Sequence, residues 1–129
     1  MKALDTPVLL EILHDSPRVK ELLKGLRGEE LATTEINLFE LRLLAVQGGR
    51  TQREARETAL ARLRRRITVL PVTAESVRAA GPYLTDKSSS RDFRALVWGT
   101  LAAAGCGEWI TSRSFAPPKG GLPFKVRIT

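Results

Sequence analysis

The chain has 129 residues, a hydrophobic fraction of 43% and a formal net charge of +7, with fifteen arginines and six lysines. This composition predicts one globular domain over residues 1–129, and no apolar run approaches the roughly 18 residues that a transmembrane helix needs. The single cysteine excludes an intramolecular disulfide, and a strand that begins at the first residue leaves no room for a signal peptide. We therefore expect a cytoplasmic protein with no membrane partner, whose arginine-rich charge favours polyanions.

The first seven residues predict a short buried strand that ends on Asp5 and turns at once into a helix. Thr6 suits the N-cap of that helix, and Pro7 suits its first position, where a missing N–H costs nothing. Open α/β sheets bind ligands at the carboxyl ends of their strands, so Asp5 is a candidate site residue. The alternative is that Asp5 only assists the helix cap.

Helices and strands then alternate along the first half of the chain. A second helix is predicted from the N-cap Ser16 to about Gly25, followed by a strand over 29–34. A third helix is predicted from Glu35 to Gln47. The charge of Glu35 is explained by the dipole at the start of that helix.

A fourth helix, from about Thr51 to Arg66, is the most basic part of the chain. Eight arginines lie between Arg42 and Arg66, against only Glu54 and Glu57. A charge run of this kind is usually a solvated outer face, but it could also bind the phosphates of a nucleic acid. The arginines predicted to bind RNA in that case are Arg53, Arg56, Arg62 and Arg64.

The second half of the chain continues the alternation, with strands predicted over 67–72, 108–111 and 125–128 and a helix over 73–80. A long helix is predicted from near Arg91. Its apolar face is predicted to consist of Phe93, Leu96, Val97, Thr100, Leu101 and Ala104. Short strands alternating with helices predict a three-layer α/β/α sandwich with four or five short, mostly parallel strands.

Two further carboxylates are candidate site residues. Glu40 falls within an apolar stripe of the third helix, where an acid is costly unless it is paired or binds a metal. The apolar members of that stripe are Ile36, Phe39, Leu43 and Leu44. The alternative for Glu40 is a salt bridge to an arginine at the rim. Asp92 lies in the first turn of the long helix, where the helix dipole alone could account for an acid.

If Asp5, Glu40 and Asp92 converge on one crevice, they repel each other unless a cation neutralises them. Hard oxygen ligands select Mg²⁺ or Mn²⁺, which can activate a water and stabilise charge on a phosphoryl group. An acidic metal pocket inside a basic exterior is the pattern expected of a nuclease.

Four segments of the chain resemble the sequence motifs of PIN-domain proteins, and of VapC-type toxins in particular. The segments are Leu4–Leu9, Thr33–Leu41, Ser90–Val97 and Trp109–Phe115, in the family's order and at ordinary spacing. The resemblance implies a PIN-like sandwich and a Mg²⁺- or Mn²⁺-dependent endoribonuclease of the toxin–antitoxin type. It also implies a homodimer that a small antitoxin protein holds inactive.

The resemblance carries Asp5, Glu40 and Asp92 over as catalytic metal ligands, with Thr6 and Thr111 at the hydroxyl-bearing positions beside the metal. The chain departs from the family at Arg113, where an acid or asparagine is usual. A guanidinium cannot ligate a metal.

Arg113 could pair with Asp5 or Asp92 and compete with the cation, or it could hold the scissile phosphate and leave Ser112 or Ser114 to position a metal-bound water. The alternative for the whole chain is an inactive PIN-like domain that binds RNA or a protein partner. In the toxin, an apolar side of the second and third helices is expected to be exposed and to receive an acidic or amphipathic segment of the antitoxin. The candidate residues of that apolar side are Val19, Leu23, Leu41 and Leu44.

Overall fold

The computed structural model describes residues 1–45, 49–84, 89–113 and 115–129, except for the side chains of Ala45 and residues 89–92. These residues form five strands and six helices. The strands are β1 (Lys2–Leu4), β2 (Leu31–Thr34), β3 (Thr68–Leu70), β4 (Glu108–Thr111) and β5 (Lys125–Ile128). The helices are α1 (Thr6–Leu13), α2 (Pro17–Gly25), α3 (Glu35–Ala45), α4 (Arg50–Arg66), α5 (Ala74–Ala80) and α6 (Ser89–Ala103), with a 3₁₀ turn at Gly81–Tyr83. No helix in these ranges is long and apolar enough to cross a membrane.

The strands form one parallel sheet in the order β3-β2-β1-β4-β5, which confirms the predicted α/β sandwich. In the register of the central pair, Leu4 of β1 lies beside Ile110 of β4. Asp5 and Thr111, the next residue of each strand segment, therefore emerge together at the carboxyl edge of the sheet. All strands run the same way, so the segments that follow β1, β2 and β4 meet at that edge.

The two faces of the sheet bury separate apolar clusters, because side chains alternate along each strand. Ala3 and Trp109 face one cluster, which α6 completes with Val97, Trp98 and Leu101. The opposite face buries a second cluster against α1, α2, α3 and α4. Its buried members are Leu4, Val8, Leu9, Val19, Leu26, Leu38, Leu41, Leu63 and Ile110. These two clusters make the sheet the middle of three layers.

Helix α1 begins one residue earlier than predicted. Thr6 is its first residue, and the extended backbone of Asp5 (φ −79°, ψ 162°) precedes it as the N-cap. The carbonyl of Asp5 accepts the first backbone bonds of the helix, so the prediction of Thr6 as the cap is wrong. The prediction of Ser16 as the cap of α2 is confirmed, since its side chain accepts a hydrogen bond from the backbone of Val19.

The predicted inward stripe of α3 is wrong in three of its four apolar members. Phe39, Leu43 and Leu44 are exposed, and only Ile36 is buried, in the cluster that α6 completes. Helix α3 is apolar on two faces. The face against α1 and α4 is covered by packing, whereas the other face is covered only at Ile36. The predicted end of the helix at Gln47 lies outside the described residues.

Two residues that the apolar pattern assigns to the core are exposed: Phe93 in α6, and Ala104, which follows the end of the helix. Phe93 is 57% exposed, whereas Val97, Thr100 and Leu101 are buried as predicted. Farther along, α6 approaches α5 so closely at Gly99 that a Cβ there would lie 2.4 Å from the carbonyl oxygen of Ser76. Tight packing thus fixes the middle of α6, while its first described side chain points to solvent.

Candidate active site

A cavity of about 390 Å³ opens between α3 and α6 at the carboxyl edge of the sheet. It brings together Asp5, which follows β1, Glu40 from α3 and Arg113, which follows β4. The remaining lining residues are Ile36, Phe39, Leu43, Phe93, Arg94, Val97 and Trp109. The fold therefore places two of the three predicted carboxylates in one cavity, together with the residue that departs from the family pattern.

Asp5 is the buried carboxylate of this cavity, with an exposed fraction of 5%. Its Oδ2 accepts a hydrogen bond of 2.7 Å from the Thr111 hydroxyl, and its Oδ1 accepts one of 3.1 Å from the Asn37 side-chain amide. A buried carboxylate needs such donors, because desolvation of the charge is costly. The alternative that the Asp5 carboxylate only assists the helix cap fails, since the residue caps α1 through its backbone carbonyl and its side chain makes no capping hydrogen bond.

Asn37 is a site residue that the sequence analysis missed. It is 1% exposed, and its amide nitrogen donates to both Asp5 Oδ1 and, at 3.0 Å, Thr6 Oγ1. Its amide oxygen accepts from the backbone N–H of Thr34 at 3.4 Å and from the Thr34 hydroxyl at 2.7 Å, and its backbone N–H donates to that hydroxyl. This reciprocal pattern is a capping box at the start of α3, so the Thr-x-x-Asn spacing was the available signal.

Arg113 bridges the two described carboxylates of the cavity. Its Nη2 donates to Glu40 Oε2 at 3.3 Å, and its Nε lies 3.6 Å from Asp5 Oδ2. The backbone N–H of Arg113 also donates to the Thr111 hydroxyl, which itself donates to Asp5. The rim salt bridge considered for Glu40 is therefore present, and its partner faces the cavity.

The other predicted site residues have different positions. Thr6 is buried and accepts from Asn37, and Thr111 is buried against Asp5. Ser112 is half-buried and is not among the residues that line the cavity. Ser114 and the side chain of Asp92 lie outside the described part of the structure, so their predicted roles stay predictions.

The carboxylate oxygens of the described part of the cavity are suitable ligands for one hard metal cation. Asp5 and Glu40 supply carboxylate oxygens from facing elements, and they already converge on a single positive group, the guanidinium of Arg113. Among the described side chains, no set of three or more acids, histidines or cysteines is placed to hold a metal. Any metal site here needs a ligand from outside that set, which is the role predicted for Asp92.

The arginines predicted to bind RNA lie on the exposed surface of α4, and they differ in their contacts. Arg64 forms two hydrogen bonds of 2.7 and 2.8 Å with Glu35, and these bonds hold the pKa of the Glu35 carboxyl below its usual value. Arg56 donates to the carbonyl of Leu44 at 2.9 Å. Arg53 and Arg62 are exposed and make no ion pair with a described acid.

The apolar surface predicted for a partner is wrong in two residues. Val19 and Leu41 are each 2% exposed, because they pack in the core beneath α1 and α3. The structure instead has a groove of about 410 Å³ between α1, α3 and α4. Its lining residues are Leu10, Leu13, His14, Leu41, Leu44, Ala55, Arg56, Ala59 and Leu60.

Solved structures with this fold include several toxin–antitoxin proteins. VapBC2 from Rickettsia felis, bound to a promoter DNA fragment, has a TM-score of 0.76 at 13% identity over 99% of this chain and 98% of that chain. VapBC-5 from Mycobacterium tuberculosis has a TM-score of 0.70 at 22% identity over 99% and 98%. VapC20 from the same organism, described as a sarcin–ricin loop cleaving toxin, has a TM-score of 0.63 at 20% identity over 84% and 87%.

Comparison with proteins of curated function gives no match. Comparison with protein families gives a match to the PIN domain over residues 2–112, which is most of the chain. That range contains the two carboxylates of the cavity, Asp5 and Glu40, and the two residues that donate to Asp5, Asn37 and Thr111. The protein belongs to the PIN-domain family.

Proposed function

We propose that this protein is a metal-dependent endoribonuclease and the toxin component of a type II toxin–antitoxin system. The observation that carries the proposal is that Asp5 and Glu40 converge on one positive group, the Arg113 guanidinium. They do so in the cavity at the carboxyl edge of a PIN-domain sheet. Solved structures of the same fold include members of toxin–antitoxin systems, and VapC20 is described as a sarcin–ricin loop cleaving toxin. We extend that activity to this chain as hydrolysis of RNA phosphodiester bonds.

In this proposal Asp5, Glu40 and Asp92 hold one Mg²⁺ or Mn²⁺. A divalent cation bound there would stabilise the negative charge that builds on the phosphoryl group during attack by water. Asn37 and Thr111 orient the carboxylate of Asp5 by donating to its two oxygens. Arg113 supplies a positive charge beside the two acids, so we infer that at most one metal ion is bound.

Cleavage assays of the purified protein test this function directly. We expect structured RNA to be cut in Mg²⁺ or Mn²⁺ and to stay intact in EDTA. Asp5→Asn should reduce the rate by about a hundredfold or more, since it removes a charged ligand from the metal. Glu40→Gln and Asp92→Asn should act in the same direction.

Asp15→Asn is the matched control for these variants. Asp15 is a solvent-exposed carboxylate that pairs only with Lys20 in the described structure, and asparagine tolerates its positive φ of 55°. This variant should cut RNA like the parent. Equal activity of Asp5→Asn and Asp15→Asn would show that Asp5 is structural and would refute the proposed site.

We also propose that exposed arginines of α4 gather the RNA backbone. Replacing Arg53 or Arg62 by alanine should weaken RNA binding and reduce the slope of log K against log salt by about one each. Arg64→Ala should change the slope less, because Glu35 already neutralises its guanidinium. Equal slopes for parent and all variants, Arg56→Ala included, would make α4 a plain solvated face.

The antitoxin and the homodimer remain part of the proposal. We infer that an amphipathic segment of a small antitoxin lies in the groove between α1, α3 and α4, which is mostly apolar and has Arg56 at its edge. Leu44→Glu should then abolish co-purification of the toxin with its encoded antitoxin. Val72→Glu, at a position of similar exposure, is the control. Sedimentation at micromolar concentration tests the dimer, and a monomer would refute it.

A second candidate function is favoured by the bridge that Arg113 makes between Asp5 and Glu40. A guanidinium that neutralises both acids permanently would leave a PIN-like domain that binds RNA or a protein partner without cutting. Binding of RNA without cleavage by the parent in Mg²⁺ and Mn²⁺, together with a gain of cleavage in Arg113→Asp, would establish this function in place of the nuclease.

A further inference from the structure

Two aromatic side chains are exposed at the mouth of the acid cavity. Phe39 on α3 is 54% exposed, Phe93 on α6 is 57% exposed, and both line the cavity that contains Asp5 and Glu40. Every other Phe, Tyr or Trp ring in the described part of the chain is buried or half-buried. Among these residue types, the described side chains classed as exposed are thus confined to this one mouth.

The two rings belong to opposite walls of the cavity. Phe39 lies on α3 and Phe93 on α6, the two helices that flank the cavity and contact each other. Leu43, one helical turn after Phe39, is 50% exposed and lines the same space. An apolar ligand with two flat faces could therefore contact both walls at once.

Arg94 adds an available positive charge to this mouth. It lines the cavity beside Phe93, and its guanidinium carbon lies 5.9 Å from the centroid of the Trp98 ring. No described acid forms an ion pair with it. Its position is stabilised by a cation–π contact instead, which leaves the charge free to bind an anion.

We propose that Phe39, Phe93 and Arg94 form a subsite for one unstacked nucleobase of single-stranded RNA and its adjacent phosphate. The rings stack on the base, and Arg94 binds the phosphate. A ring beside a cation suits a single strand, because the faces of its bases are accessible, whereas a duplex keeps them stacked inside. The inference rests on the proposed function, since it places the RNA strand beside Asp5 and Glu40.

Binding assays in EDTA test this subsite without any cleavage. The probe is a labelled single-stranded RNA of about 12 nucleotides, compared with the same strand annealed to its complement. Phe39→Ala and Phe93→Ala should each weaken binding of the single strand by about fivefold or more and leave duplex binding unchanged. Phe93→Trp should bind the single strand like the parent, because it keeps an aromatic face.

Two further variants complete the design. Val77→Ala, which alters an exposed apolar residue of α5, should bind both RNAs like the parent. Arg94→Gln should weaken both RNAs and lower the salt dependence of binding, since the phosphate is common to them.

The subsite is refuted if the phenylalanine variants bind the single strand like the parent, or if they lose single strand and duplex equally. Unchanged RNA binding with altered self-association or antitoxin binding would assign this mouth to a protein partner instead. The proposed function fails separately: a parent that binds single strands through Phe39 and Phe93 but cuts none in Mg²⁺ or Mn²⁺ keeps the subsite and loses the nuclease.

Discussion

In both the acid cavity and the α3–α4 helix pair, a glutamate forms an ion pair with an arginine that is distant in sequence. The two ion pairs differ in the distances between their charged atoms. In the helix pair, Glu35 and Arg64 form two short hydrogen bonds of 2.7 and 2.8 Å with about half of each side chain exposed. In the cavity, Arg113 lies 3.3 Å from Glu40 and 3.6 Å from Asp5. The better-formed ion pair is therefore the one away from the cavity.

This difference shows which acids are available to another ligand. In the pair Glu35–Arg64, both carboxylate oxygens accept a hydrogen bond from the guanidinium. Because solvent screens the two charges, the pair contributes less than about 1 kcal/mol to stability. Asp5 instead owes its position to neutral donors, Asn37 and Thr111, while its contact with Arg113 is long. A carboxylate held by neutral groups and loosely paired with a cation can exchange that cation for a metal ion without losing its orientation.

The largest expected effect follows from removing the neutral donor that orients Asp5. Asn37→Ala should lower the free energy of unfolding by about 2 kcal/mol, because it removes hydrogen bonds that the Asn37 side chain makes to buried polar groups of Asp5, Thr6 and Thr34. Urea unfolding measures this loss. The exposed amide Gln52 provides the control, and Gln52→Ala should unfold like the parent. Equal stability of the two variants would show that Asn37 does not organise the cavity.

An intermediate effect is expected from removing the Arg113 guanidinium, which pairs loosely with Asp5 and Glu40. Arg113→Asp should tighten Mn²⁺ binding by about tenfold, because it replaces a competing charge with an oxygen ligand beside Asp5 and Glu40. Calorimetry of Mn²⁺ binding measures the change. Arg27→Asp makes the same charge change at an exposed position outside the cavity and should leave the affinity unaltered. A tightening common to both variants would trace it to net charge alone.

The smallest effect is expected from the well-formed pair in solvent. Hydrogen bonds from Arg64 lower the pKa of Glu35 from 4.5, so this carboxylate stabilises the folded state at pH values above 4.5. That contribution is lost as the pH falls through the lowered pKa, because both states are then protonated. Glu35→Gln should remove only about 0.5 kcal/mol at neutral pH, and its difference from the parent should vanish in acid.

Chemical unfolding of both proteins across the acid range checks this dependence. Glu54→Gln is the control, since Glu54 pairs with Arg50 on a fully solvated face. A difference between the parent and Glu35→Gln that grew in acid would contradict the assigned direction of the pKa.

Much of the fold was predictable because parallel strands buried on both faces read as short apolar runs between helices. The caps at Ser16 and Thr73 were predictable from local chemistry, and both are present. The buried face of α3 was not predictable, since the helix carries apolar residues on two faces. Phe39 and Leu43 are exposed because they line the open cavity between α3 and α6 and not a packed interface.

The sequence by itself determined the order of the elements, the carboxylate at the end of β1, the basic α4 and the family to which these motifs belong. Each of these depends on neighbouring residues along the chain. Only the tertiary structure decided what surrounds Asp5. Arg113 lies 73 residues from Glu40 in sequence, and Asn37 lies 32 residues from Asp5. The register of β1 with β4 and the path of α3 bring these groups within hydrogen-bonding distance, and no local pattern encodes that distance.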